Sequence, residues 1–285
     1  MTVVGGLATA ALAAFLALPV AATGGIFALR PPVATNYRGR SVPLSIGLAL
    51  AWSYGCVGLL AALHAFVGSD RTLGAEVLWV LLAMAIVYGA GLYDDLRPAR
   101  VHGLRTHFLE LGRGRVTSGI VKLLAALVAA AIATLASGGR GWSLVLAIPL
   151  IAGVTNVFNL LDVAPGRALK FGFCVAVGLL VAHSSVLAWA SAGQTAALVP
   201  FDVREKGMLG DAGSNLLGFV LGYLLWRRLS TVGMAVALGV VLALHALAET
   251  VTFTRIIRAT PPLRWLDDLG RLPAQDHGTA PAGSG

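Results

Sequence analysis

The stretch G-R-A-L-K-F-G-F-C-V-A-V-G-L-L-V-A-H-S-S-V-L-A-W-A-S-A-G-Q-T-A-A-L-V-P (residues 166–200) decides how this chain folds. It is apolar almost throughout and well beyond the roughly 20 residues that cross a hydrocarbon core as one helix. Its only polar cluster is His183, Ser184 and Ser185, so we read two crossings, residues 166–183 and 186–200. The consequence is topological. With two crossings, Asp211 emerges on the same side of the membrane as Asp94 and Asp162; with one, it emerges opposite them.

The rest of the chain supports a membrane setting. Of its 285 residues 57% are hydrophobic and 12% charged, and the mean hydropathy is +0.82, far from the composition of soluble domains. In lipid each backbone N–H and C=O must be bonded within its own segment, which favours helices. Further apolar runs at residues 3–29, 42–67, 77–93, 116–135, 142–161, 213–226 and 232–253 complete an all-α bundle of about nine spans. No basic residue precedes the first run, and its length exceeds a signal peptide's apolar core, so it is kept as a span. Gly218 and Gly222 form a G-x-x-x-G pair suited to close helix contact. Domain organisation follows: a transmembrane unit at 1–256, an amphipathic interfacial tail at 257–272, and a disordered end at 273–285.

Charge orients the bundle. Of the 21 Lys and Arg, all but Arg71, Arg140, Arg227 and Arg228 fall on one side. The positive-inside rule makes that side cytoplasmic, with the N-terminus outside and the C-terminus inside a multi-pass plasma-membrane protein. The net charge of +8 is spread over loops rather than gathered in one tract. Membrane lipids and anionic substrates explain that distribution better than nucleic acid does. Cys56 and Cys174 lie inside apolar runs and read as packing residues.

Four acids stand at the ends of spans on the cytoplasmic side: Asp94 and Asp95 in G-L-Y-D-D, Asp162 in N-V-F-N-L-L-D, and Asp211 in M-L-G-D-A-G-S-N. Ionisable groups there are costly and therefore informative. Asp211 also stands where a helix N-cap is expected. Asn156, Asn159 and Asp162, at i, i+3 and i+6, share adjoining parts of one helical face. Carboxylates and carboxamides gathered in this way suit a hard, oxygen-liganded cation such as Mg²⁺, which commonly arrives with phosphate. Lys122, near the end of its span, together with Arg167 and Lys170, would grip phosphate oxygens. His245 and Glu249, at i and i+4, read as a structural pair.

With these motifs in order, the chain resembles the polyprenyl-phosphate N-acetylhexosamine-1-phosphate transferases over about residues 30–225. The marks are N-Y-R-G-R-S-V-P (36–43), the Asp94–Asp95 pair, T-S-G-I-V-K ending in Lys122, N-V-F-N-L-L-D and G-D-A-G-S. The resemblance implies a Mg²⁺-dependent transfer of a sugar phosphate from a UDP-N-acetylhexosamine to undecaprenyl phosphate, releasing UMP, in cell-envelope glycan synthesis. It implies Asp211, Asp162 and Asn159 as metal ligands, and Asp94, Asp95, Lys122 and Asp162 as the catalytic set. It implies Arg38, Arg40, Asn159 and Ser214 as substrate contacts, and a homodimer; Asn156, Arg167 and Lys170 are expected to join them as substrate contacts from their position beside the acids. The chain also departs from the pattern: Val163 and Pro165 stand where the family carries glycine and a second aspartate, and its histidine-rich loop and a tenth span are not found.

Two other classes are consistent with a polytopic membrane chain. A transporter would be expected to place polar groups near the bilayer midplane within internal repeats, and no repeat is present. A catalytically inactive membrane scaffold is the second. The CDP-alcohol signature D-G-x-x-A-R and the prenyltransferase box N-D-x-x-D do not occur.

Overall fold

The computed structural model describes residues 1–25, 31–36, 38–97, 104–182 and 184–272. The expected disordered end, His183 and the last residues of the first apolar run lie outside that set. In chain order the elements are α1 (Val3–Thr23), β1 (Val33–Thr35), β2 (Ser41–Pro43), α2 (Ser45–Val67), α3 (Arg71–Leu96), α4 (Leu104–Gly112), α5 (Ser118–Ala136) and α6 (Gly141–Leu161). They continue with α7 (Arg167–Ala182), α8 (Val186–Asp202), α9 (Gly210–Trp226), α10 (Thr231–Ala248), α11 (Phe253–Ala259) and α12 (Pro261–Asp268).

The long apolar stretch does divide where its polar residues fall. Ser185 caps α8 by accepting the Ala188 N–H at 3.3 Å, and Ser184 accepts the Trp189 indole N–H at 2.8 Å. The side chains that interrupt the apolar run therefore bond the first turn of the helix that resumes it.

Among the described residues six helices have the length and composition of a membrane crossing: α1, α2, α3, α5, α6 and α10. Six of the expected nine spans meet that description. The helices α7, α8 and α9 have 16, 17 and 17 residues, about 24–26 Å at 1.5 Å per residue, short of a hydrocarbon core of about 30 Å. The helix α9 packs against α2, α3, α5, α6, α7 and α8. Residues 212–226 of it are buried apart from Leu225. A helix that is apolar all round and enclosed by others has no lipid face to present.

Small residues set the closeness of that core. A Cβ on Gly218 would lie 2.8 Å from the Thr155 Cα, and one on Gly222 would lie 3.2 Å from the Ile151 Cα, so the G-x-x-x-G pair seats α9 on α6. Around the rim, Phe15, Leu59, Leu63, Trp79, Leu124, Val128, Val236 and Val240 are exposed, as suits side chains facing acyl chains. Cys56 is partly buried, but Cys174 is exposed on α7 and packs no core, which corrects its sequence reading.

At one end of the bundle β1 and β2 form a two-stranded antiparallel hairpin with Ala34 opposite Val42. The hairpin is tied to the α8–α9 loop by Met208 N–H to Pro43 O, 2.8 Å, and Ile46 N–H to Met208 O, 3.2 Å. After α10 the chain turns through α11 and α12, which lie back against the start of α7. The helix α11 straddles the boundary expected at residue 257.

Candidate active site

Helix termini bring the acids together. The last turn of α3 supplies Asp94 and Asp95, the second turn of α5 supplies Lys122, the first turn of α9 supplies Asp211, and α6 ends at Asp162. Lys122 Nζ donates to Asp94 Oδ2 at 2.5 Å and to Asp211 Oδ2 at 2.8 Å. One ammonium therefore joins acids 117 residues apart in the chain. A lysine near the end of a span needs an anionic partner or a route to water; Lys122 has two partners, and its side chain is 18% exposed. Thr117 caps α5 at the Ile120 N–H, 3.4 Å, which fixes the turn that leads to Lys122.

Asp95 has a different task from its neighbour. Its Oδ1 accepts the Asp211 N–H and its Oδ2 accepts the Ala212 N–H, both at 2.9 Å. These are unpaired donors of the first turn of α9, so Asp95 caps that helix from across the interface, and Asp211 is not its own N-cap. The arrangement demands near contact of backbones, and Gly91 provides it: a Cβ there would come within 2.5 Å of the Ala212 Cα.

Asp162 follows α6 and faces the same cluster. Burial first, and then the charges of Asp202, Asp211 and Asp95, push its carboxyl well above the usual carboxylate range. Asn159 Oδ1 accepts the Ser214 hydroxyl at 3.2 Å, which places both on the α6–α9 seam. Asn156 lies one turn away, and its Nδ2 donates to His245 Nε2 at 2.9 Å. The expected face is thus shared, Asn156 turning to α10 and Asn159 to α9. His245 also donates from Nδ1 to the Val241 carbonyl, 2.7 Å.

The predicted phosphate grips are placed elsewhere. Arg167 is 1% exposed and forms a forked pair with Asp267 of α12, 2.8 and 2.9 Å. Lys170 Nζ bonds the carbonyls of Asp267 and Leu269. Both cations hold the tail rather than line the acid cluster. Arg38 Nε pairs with Glu205 at 3.0 Å, Arg40 stands 3.9 Å from the same carboxylate, and Asn36 Nδ2 donates to it at 2.9 Å. These contacts pin the hairpin to the α8–α9 loop.

Between hairpin, α6–α7 loop and α8–α9 loop lies a cavity of about 190 Å³ bordered by Asn36, Asp162, Pro165, Asp202, Glu205 and Met208, among others. Asp202 and Glu205 were not foreseen. Asp202 is 4% exposed and accepts the Gly166 N–H at 2.9 Å. It ends an apolar run just as Asp94 and Asp162 do, so the same sequence rule would have found it. Glu205 gives no such signal, being one charge among several in a loop.

Among the described residues no three His, Cys, Asp or Glu side chains converge in metal-holding geometry. The carboxylates of Asp211 and Asp162 and the amide oxygen of Asn159 are nevertheless donors of the kind a hard divalent cation takes. Asp94 Oδ1 adds a buried carboxylate oxygen with no hydrogen-bond partner.

The described bundle gathers carboxylates and one lysine at the ends of its helices, as suits charged groups met at a membrane surface. The sequence pattern described as glycosyl transferase family 4 matches residues 77–227, more than half the chain and all four span-end acids, so the chain belongs to that family. Membership makes it a multi-pass membrane protein of the polyprenyl-phosphate sugar-1-phosphate transferase type. Comparison with curated proteins gives no match.

Proposed function

We propose that the protein transfers an N-acetylhexosamine 1-phosphate from its UDP-linked donor to undecaprenyl phosphate at the cytoplasmic face of the plasma membrane. A lipid phosphate oxygen forms a bond to the sugar-proximal phosphorus as the bond from that phosphorus to the bridging oxygen breaks. UMP departs with the bridging oxygen, leaving a polyprenyl-diphosphate sugar. The carrying observation is the Lys122 ammonium held between Asp94 and Asp211, beside Asp162, where buried helix ends meet a water-accessible cavity.

Two anions must approach within bonding distance, so neutralising charge is the main chemical task. Mg²⁺, when bound, would supply that neutralisation to the diphosphate, and Asp211, Asp162 and Asn159 are the residues that would hold it. Lys122 orients Asp94 and Asp211 and offers its third N–H to a phosphate oxygen. Asp94 lies nearest to the membrane-embedded stretch of α3 and would face the lipid phosphate. Asp95 acts through α9, since both its oxygens are taken by backbone amides. With Arg167 and Lys170 engaged by the tail, the donor phosphates depend on Lys122 and the metal more heavily than the sequence alone implied. The cavity beside Asp162 would receive part of the donor. Its acceptor-rich border of Asp162, Asp202 and Glu205 suits groups that donate hydrogen bonds, such as sugar hydroxyls.

The test is direct. Purified protein is supplied with undecaprenyl phosphate, Mg²⁺ and each of several UDP-hexosamines, and UMP is measured. Release that disappears with chelator and in Asp211→Asn is the expected outcome. Silence with every donor would overturn the enzyme reading and favour a scaffold.

A further inference from the structure

The tail after α10 is held by an ion-pair system out of proportion to its size. Asp267 is 3% exposed and receives two arginines at once. Arg167 reaches it through Nε and Nη2, and Arg271 reaches it through Nη1 and Nη2 at 2.8 and 2.5 Å. A third bond from Arg167 Nη1 reaches the Thr254 hydroxyl at 2.9 Å, and Arg38 Nη2 donates to the Leu272 carbonyl at 2.8 Å. Forked guanidinium pairs fix direction as well as distance.

The far side of this system meets the proposed site. Arg271 Nε donates to the Pro165 carbonyl at 2.8 Å, and Pro165 borders the cavity next to Asp162. From the opposite side, Asp202 takes the N–H of the following residue, Gly166. The short segment between α6 and α7 is thus clamped at the two sides of one peptide group, 165–166, by two elements distant in sequence. Gly166 has φ +72°, and a Cβ there would meet the Val203 side chain at 2.3 Å, so the backbone turns sharply beneath the clamp.

We infer that the C-terminal segment is a positioning brace for the active site: Asp267 orients Arg271 against the Pro165 carbonyl and thereby fixes the loop that carries Asp162. The role in turnover rests on the proposed transfer; the brace itself does not. Asp267 and Arg271 are positioning residues and touch no substrate. On this reading α7 begins with a cation because the tail requires it, and removing the clamp frees the loop without disturbing the Lys122 cluster.

The decisive variant is Arg271→Gln, because it removes the bond to Pro165 while leaving the buried Arg167–Asp267 pair intact; Asp267→Asn serves as the stronger perturbation. Hydrogen–deuterium exchange is followed in full-length protein in lipid nanodiscs. In Arg271→Gln, amides at residues 163–167 should exchange at least tenfold faster, with those of α9 unchanged. In active protein kcat for UMP release should fall about tenfold, with KM for undecaprenyl phosphate constant, and Arg271→Lys should restore part of the loss. Unchanged exchange at 163–167 would overturn the brace. Faster exchange with unaltered kcat would overturn its role in the site. Absence of UMP release by the wild type would count against the transfer reaction alone, because exchange still decides whether the tail holds the loop.

Discussion

Lys122 carries the electrostatics of the acid cluster. With Asp94 and Asp211 both accepting from its Nζ, replacing it leaves two carboxylates adjacent with no cation between them. Like charges confined in this way repel strongly where water is scarce. Lys122→Met should lower UMP release by about 10²- to 10³-fold, comparable to deleting one preorganised charge donor elsewhere. Lys122→Arg should recover little, because a planar fork cannot place donors on two carboxylates as a tetrahedral ammonium does. Steady-state rates on matched preparations check both statements. The residues of this cluster were legible in the sequence because ionisable groups at span ends are rare enough to be noticed individually. Their division of labour was not. That Asp95 is an interhelical cap while Asp94 is an ion-pair partner depends on where the amides of α9 fall, and two adjacent aspartates give no hint of it.

Between elements, closeness is set by glycine. The α6–α9 seam carries Asn159 and Ser214 a short distance from Gly218, whose hydrogen is all that separates α9 from the Thr155 Cα. Gly218→Leu should force the two helices apart, at a cost of a few kcal/mol from overpacking, and lower the thermal midpoint by several degrees in detergent. Activity should fall further than stability, because widening the seam moves Asp211 away from Asp162. Gly218→Ala should show the same order with smaller effects. The seam was readable as a G-x-x-x-G pattern, whereas its partner helix was not, since the pattern marks a surface and not what covers it. The same limit explains Arg167 and Lys170. Beside a cluster of acids they read as phosphate grips, and their actual partner lies a hundred residues further on, in a tail whose pattern announces an amphipathic helix but not a buried aspartate.

For the molecule as a whole, the tail makes stability depend on acidity in a definite sense. Burial alone would raise the Asp267 carboxyl, but the Arg167 hydrogen bond and the charges of Arg271 and Arg167 outweigh it and hold the group below the usual carboxylate range. A lowered folded value means that docking of the tail is fully supported above the ordinary aspartate value of about 4. The support is lost as pH falls through the lower folded value. Tail amides at residues 253–272 should therefore stay protected from exchange at pH 5 and above, then lose protection on further acidification. In Asp267→Asn that pH dependence should vanish. The bundle itself was legible from hydropathy, down to the break between α7 and α8. Crossing number was not, because three of the nine apolar helices are too short to be judged by length and lie mainly against other helices.

The enclosed position of α9 bears on how the chain is made. Seven apolar helices precede in the chain the one that fills their centre, so they gather while the space reserved for α9 is still vacant or occupied by lipid. The centre is consequently filled after most of its surround, with only α10 and the tail still to come, and the contact between Asp211 and the earlier Asp94, Asp95 and Lys122 becomes possible only at that late moment.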